Sequence, residues 1–182
     1  MPPFLRLLAS ARVRSAGAGA ILGAMTAQAE PTAKVVELGH IVLYVRDLGR
    51  SIAFYRDVLG WPLVGEPGHF PAAAFSVGRT HHDLLLIEVG ADAQPIPSGR
   101  RVGMYHFGVK VGDTDDDLRA MLARLQAAPD LVTIVGATDH NVTHSLYVTD
   151  PDGNELELYI DVPGVDPHDA ELLMAPARPL QL

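Results

Sequence analysis

The densest chemistry in the sequence lies between Thr138 and Glu157. Two imidazoles (His140, His144), a phenol (Tyr147), the turn-forming run Asp150-Pro151-Asp152-Gly153-Asn154 and a carboxylate (Glu157) occur there together. The turn folds the carboxylate-bearing strand back beside the phenol-bearing one. Two further imidazoles, His40 and His106, stand near the starts of apolar runs rich in β-branched residues, Gly39 to Val45 and Met104 to Val111. If those runs are equivalent strands of a duplicated unit, both imidazoles face a shared concavity. Neutral imidazole suits iron, zinc, nickel or copper, and a carboxylate would complete a two-His, one-carboxylate face with positions open for substrate and oxygen. Glu157 is the best carboxylate candidate: its neighbours Leu156, Leu158 and Tyr159 make an apolar strand in which an unpaired charge is costly. Glu155 shares its face by period two but lies nearer the turn and solvent.

The elements that must position these groups read as a repeat. After the Gly39–Val45 strand, Asp47 is placed as an N-cap, and Ile52, Tyr55 and Leu59, with Phe54 and Val58 beside them, give an amphipathic helix stopped by Gly60. Strands are predicted at Trp61–Gly65, Ala72–Val77 and Asp83–Val89, separated by Glu66-Pro67-Gly68 and Gly78-Arg79-Thr80. A Pro-rich linker, Gln94 to Gly99, leads to a second pass. It has the His106 strand, an acidic cap at Asp113–Asp117, a helical face of Leu118, Met121, Leu122 and Leu125, and strands at Val132–Gly136, His144–Thr149 and Glu155–Ile160. The expected class is therefore α+β: two tandem βαβββ modules, residues 36–92 and 102–161, in a domain 34–161, forming one curved, cup-like mixed sheet around a metal site. Residues 162–182, with four prolines, read as a tail over the surface with room for one short helical turn.

Composition narrows the function. With 182 residues, 48% of them hydrophobic, the chain supports a real core rather than dominant disorder. A net charge of -8 and a pI near 5.3 argue against nucleic-acid or anionic-membrane partners, which need a basic surface, and favour a small neutral or aromatic substrate. Absence of cysteine excludes disulfides, thiolate nucleophiles and zinc–thiolate sites. No run reaches the roughly 18 apolar residues of a membrane span. Residues 1–33 stand apart: Arg6, Arg12 and Arg14, an Ala/Gly-rich apolar run, Ala27-Gln28-Ala29, and no acid before Glu30. That order resembles a secretory signal cleaved after Ala29, the alternative being a disordered or loosely helical extension. The expected location is the cytoplasm, or outside it if residues 1–29 are removed as a signal.

The duplicated unit, the Gly39-His40 and Tyr105-His106 strand starts, and Asp150-Pro151-Asp152-Gly153-Asn154-Glu155-Leu156-Glu157-Leu158 together resemble the vicinal oxygen chelate superfamily over residues 36–161. That superfamily includes glyoxalase I, fosfomycin and bleomycin resistance proteins, and type I extradiol dioxygenases. Within it, the spacing of Thr138, His140, Leu146-Tyr147, Asp150-Pro151, Gly153 and Glu157 is similar to the extradiol ring-cleavage signature, and His81-His82 resembles those enzymes' paired histidines. The resemblance implies His40, His106 and Glu157 as ligands of Fe(II), with Mn(II) as the less frequent alternative. It implies His82 as proton shuttle, and His140 and Tyr147 as groups that hydrogen-bond and orient a catecholate; an imidazole, with an ordinary pKa of ~6.5, takes and returns protons at neutral pH. The partners implied are a small aromatic diol and O2. Many ring-cleaving relatives carry two such duplicated domains, so the pocket lacks a wall here that a homodimer would supply.

Each residue also has a plainer reading. His40 or His106 alone is by default a satisfied strand residue; the repeat and Glu157 are what make the pair read as ligands. His82 is otherwise a strand-edge residue, His140 a polar-turn residue, and Tyr147 core packing with its hydroxyl at the rim. Alternation puts His144 on the face opposite Tyr147. Glu88 lies on the strand where glyoxalase-type relatives place a fourth ligand, yet aligning the two last strands puts an apolar residue at that place. Alternatives to ring cleavage are a Ni- or Zn-dependent glyoxalase or epimerase, and a metal-free drug-binding protein of the same fold.

Overall fold

The computed structural model describes residues 33–65 and 68–182, and every regular element lies within the compact unit Glu37–Leu182. The signal-like segment falls outside the described residues. In the first module, strand β1 (Ile41–Val45) buries Leu43 and Val45 and leaves Val42 and Tyr44 on an open face. Asp47, in extended conformation, accepts from the Arg50 N–H at 2.8 Å and starts helix α1 (Leu48–Ile52), which continues as π-helical turns over Ala53–Val58. Gly60, with φ +76°, turns the chain out of the helix.

Strands β2 (Ala72–Phe75) and β3 (Leu84–Glu88) complete this module's sheet in the order β1-β3-β2, with β1 parallel and β2 antiparallel to β3. The strand expected at Trp61–Gly65 is reduced to a single bridge, Leu63 to Phe75. Its backbone still pairs with β2 through Val64 N–H to Ala74 O and Ser76 N–H to Pro62 O. Pro62 has no N–H to donate, which shortens the ladder.

The second module runs β4 (His106–Lys110), α2 (Asp115–Gln126), β5 (Thr133–Asp139), β6 (Thr143–Thr149) and β7 (Glu155–Asp161). Its order, β4-β7-β6-β5, matches the first: each opening strand lies parallel to its module's last strand. Thr114 and Asp117 form a reciprocal capping box on α2. The α+β class and the open curved sheets follow the repeat read from sequence. The hydrogen-bond ladders, however, form two sheets rather than one.

One hydrophobic cluster joins the modules: Phe54, Tyr55, Phe75, Leu84 and Leu86 pack with Leu118, Leu125, Leu146, Leu156, Leu158 and Ile160. A buried polar joint lies within it. The Tyr55 hydroxyl donates to Asp150 Oδ2 at 2.9 Å, and Asp150 also accepts from Asn154 N–H and side chain and from Asp152 N–H. The Asp150–Asn154 turn, with Gly153 at φ +89°, is thereby fixed to helix α1. The C-terminal residues do more than lie over the surface: after α3 (Ala170–Met174), Arg178–Pro179 adds to the edge of β5 as a two-residue strand β8. No described helix is long and apolar enough to cross a membrane.

Candidate metal and substrate site

Alternation along β4, β6 and β7 brings one group of side chains to the open face of the second sheet. Because β4 and β7 run parallel with Gly108 opposite Glu157, His106 and Glu157 converge, and His106 Nε2 lies 3.3 Å from Glu157 Oε2. The Gly108 position is cleared for them: a Cβ there would meet Tyr159 Cε1 at 3.3 Å and Glu157 Oε2 at 4.0 Å. Glu157 pairs across the antiparallel ladder with Tyr147. Its Oε1 accepts from the Ser145 hydroxyl at 2.7 Å and lies 4.0 Å from His140 Nε2. His140 Nε2 in turn bonds the Tyr147 hydroxyl at 2.8 Å, and the His106 and Tyr147 rings stand edge to face with centroids 5.4 Å apart. Burial, followed by the Glu157 charge, pushes the Tyr147 phenol up to about 12, so it remains a donor at neutral pH.

These groups line a cleft of ≈ 500 Å³. Its far wall includes Pro167, Leu173 and Ala175, supplied by the C-terminal segment. His106 Nδ1 is buried without a hydrogen-bond partner among the described residues, Glu155 Oε1 standing 3.8 Å away. His144 points to the opposite face, as alternation predicts, where its Nδ1 bonds Asp115 Oδ1 at 2.6 Å.

His40 is placed differently. Its ring lies 4.4 Å from that of His82 and 5.7 Å from that of His81, and the donor atoms of these three histidines lie within 4.8 Å of one another. Of the sequence-derived set, His106, Glu157, His140 and Tyr147 make contact on the second module and His40 with His82 on the first, while His40 also lines a cleft with Phe107 and Gly108 of β4. The cause is the topology. β1 is bonded to β3, so the residue preceding β1 meets the loop that leads into β3, Ile41 N–H donating to Asp83 O at 2.9 Å. Burial first, then the charges of His81 and His40, hold the His82 imidazole below its ordinary value.

The register also locates the first module's counterpart of Glu157. Ile41 pairs with Leu84 as Phe107 pairs with Leu156, which makes Leu85 the equivalent of Glu157. Glu88 falls on the helix side instead, where its Oε2 accepts from the Leu48 N–H at 2.7 Å. That carboxylate completes the cap of α1. Ser145 was the participant the sequence reading passed over; its position two residues before Tyr147, on the same strand face, was the available signal.

Two iron or manganese ligands bound at ~2.1 Å in adjacent positions stand about 3 Å apart. The His106–Glu157 separation and the His/carboxylate donor type fit such an ion at two positions, while His40 belongs to the other group.

Two successive strand–helix–strand modules whose first and last strands run parallel make up a fold of the glyoxalase kind. A family model for the "Glyoxalase/Bleomycin resistance protein/Dioxygenase superfamily" matches residues 37–158, and the chain belongs to that superfamily. It is 32% identical over 126 residues to the catechol-2,3-dioxygenase of Bacillus subtilis, a match covering 69% of this chain and 42% of the relative. It is also 28% identical to a probable lactoylglutathione lyase of Synechocystis, covering 65% of this chain and 91% of that protein. Among solved structures, the lactoylglutathione lyase of Agrobacterium tumefaciens superposes with a TM-score of 0.51 at 30% identity, covering 70% of this chain and 95% of the other. The chain therefore spans about two fifths of its dioxygenase relative and nearly the whole of the lyases.

Proposed function

We propose that this protein is an extradiol-type oxygenase that opens the ring of a catechol with O2, using Fe(II) held by His106 and Glu157 with His40 as third ligand. The observation that carries the reading is the meeting of His106, Glu157, His140 and Tyr147, of which His140, Tyr147 and Glu157 stand in the order of the ring-cleavage signature. The similarity to a catechol dioxygenase supports it. Bound iron would supply open coordination positions for the diol and O2.

The chain's own residues do the rest. Tyr147, protonated at neutral pH, donates a hydrogen bond to a substrate oxygen, and His140, bonded to it, holds that hydroxyl in place or receives the oxygen's proton. Ser145 fixes the orientation of the Glu157 carboxylate. Pro167, Leu173 and Ala175 supply an apolar side to the cleft. His82 is the expected proton shuttle, arriving with His40 from the first module.

Anaerobic loading with Fe(II), followed by oxygen and a panel of catechols, should give oxygen uptake and a yellow ring-opened product. Absence of both across the panel would sink the reading.

A second reading is favoured by one observation: the lyase relatives match this chain in length. Under it the protein is a Ni- or Zn-dependent isomerase of the glyoxalase type. Engagement of Glu88 with helix α1 counts against the four-ligand site that reading calls for. Isomerase activity with Ni or Zn that Glu88→Gln abolishes would favour it over ring cleavage.

A further inference from the structure

The imidazole of His106 is flanked by two carboxylates. Strands β4 and β7 pair in parallel register, His106 with Glu155 and Gly108 with Glu157, so both acids reach the same ring. Glu157 Oε2 stands 3.3 Å from Nε2, and Glu155 Oε1 stands 3.8 Å from Nδ1. We propose that Glu155 is a positioning residue for His106: it accepts the Nδ1–H hydrogen bond that keeps Nε2 turned toward the metal. The role rests on the metal-binding half of the proposed function.

Proton counting on the ring carries the assignment. A neutral imidazole has one N–H and one lone pair. Once Nε2 gives its lone pair to a cation, the proton stays on Nδ1. That is the ring atom buried without a hydrogen-bond partner among the described residues, and a buried donor left unmade costs free energy. Closing the gap to Glu155 to a hydrogen bond takes a side-chain adjustment of about 1 Å. A cation on Nε2 also polarises the Nδ1–H bond, so the bond to a carboxylate strengthens when the metal is in place.

Three features hold Glu155 to this task. Its side chain is 21% exposed against 19% for Glu157, so closeness to the turn does not carry it into solvent. Its backbone is paired on both sides, to His106 on β4 and to Thr149 on β6, and the preceding Asn154 is tied to the buried Asp150. Its carboxylate also takes a hydrogen bond from the hydroxyl of Tyr105, whose ring lies 4.6 Å from that of His106. The charge matters as well as the geometry. Glu157 alone offsets one unit of a divalent cation, and Glu155 offsets the other from behind the imidazole.

The test uses the full chain with Zn2+ as a diamagnetic probe, titrated by calorimetry and followed by NMR of the histidine ring protons. Zinc-loaded wild type should show a downfield Nδ1–H resonance protected from exchange, assigned to His106 by its absence in His106→Ala. Glu155→Gln, which keeps the shape and removes the charge, should weaken Zn2+ binding about 10-fold and move that resonance upfield. Glu155→Ala should weaken binding up to ~100-fold and open the proton to exchange. Asp130→Asn, the same loss of charge on the loop between α2 and β5, should change neither readout. Unfolding curves in urea separate loss of the hydrogen bond from misfolding, and if Glu155→Ala fails to fold, Glu155→Gln alone decides. Wild-type affinity or an unmoved resonance in folded Glu155→Gln would overturn the role. So would loss of binding as complete as in Glu157→Gln, which would make Glu155 a ligand. Zinc binding with the expected pattern, but no catechol cleavage by the iron-loaded protein, would sink ring cleavage and leave the positioning role standing; no metal binding by wild type would overturn both.

Discussion

His106 and Glu157 approach within 3.3 Å beside Gly108, the ladder partner of Glu157, which leaves a gap against the Tyr159 ring. Filling that gap should separate the effect on the site from the effect on the fold. An alanine Cβ meets the Tyr159 ring at 3.3 Å, which a small ring shift relieves. Gly108→Ala should therefore stay within about 1 kcal/mol of wild-type stability, whereas Gly108→Val should cost ~1–3 kcal/mol by overpacking. Chemical denaturation checks both values, and Fe(II) titration should show at least a 10-fold weaker affinity in the valine variant.

The Ser145 hydroxyl holds the second oxygen of Glu157 at 2.7 Å. Ser145→Ala frees the carboxylate to rotate, and Fe(II) affinity should fall roughly 10- to 100-fold, the usual cost of losing a ligand's outer hydrogen bond. An unchanged affinity would show that the strand alone orients Glu157.

Tyr55 and Asp150, 0% and 4% exposed, share the hydrogen bond that fixes the signature turn to helix α1. Burial is the leading cause that raises both groups above their ordinary values, so neither donor nor acceptor is easily spared. Tyr55→Phe should destabilise by ~1–2 kcal/mol in urea. A change below about 0.5 kcal/mol would mean that the other donors to Asp150 suffice.

The capping box of α2 carries a pH dependence. The Asp117 carboxyl is held below its ordinary value of 3.8, first by the Thr114 side chain and then by the Asp113 N–H. A lowered folded-state value means that the unfolded chain binds the proton more readily, so the stabilisation is present above 3.8 and is lost as pH falls through the folded-state value. Wild type should melt higher than Asp117→Asn at pH 7, and the gap should narrow as pH falls below 3.8. A gap that persists there would assign the effect to hydrogen-bond geometry rather than charge.

Much of this was legible in the sequence because it rests on periodicity and turn chemistry. The two strand–helix units, the Asp47 cap, the capped acidic turn at Asp113–Asp117, the hairpin at Gly153 and the opposite orientation of His144 all follow from local rules. The assignment of an apolar counterpart to Glu157 also followed from aligning the last strands, and the register identifies it as Leu85. What local rules do not contain is how ladders join. The loss of the Trp61–Gly65 strand to one bridge, the separation of the sheets, and the company His40 keeps with His81 all depend on pairings between distant segments. Glu88 shows the same limit: the resemblance to glyoxalase-type relatives raised it as a potential fourth ligand and strand alignment spoke against it, but only the tertiary fold shows that it caps a helix.

The two-residue strand Arg178–Pro179 has a consequence beyond the cleft. It occupies the edge of β5 at Thr138 and Asp139, next to His140. Proline has no N–H to offer a further strand, and the exposed Arg178 guanidinium is tied to Asp139 and Asn141. The five-stranded sheet is thus hemmed at the end of β5 nearest His140, while Thr133–Gly136 of β5 and the whole of β4 remain its open margins.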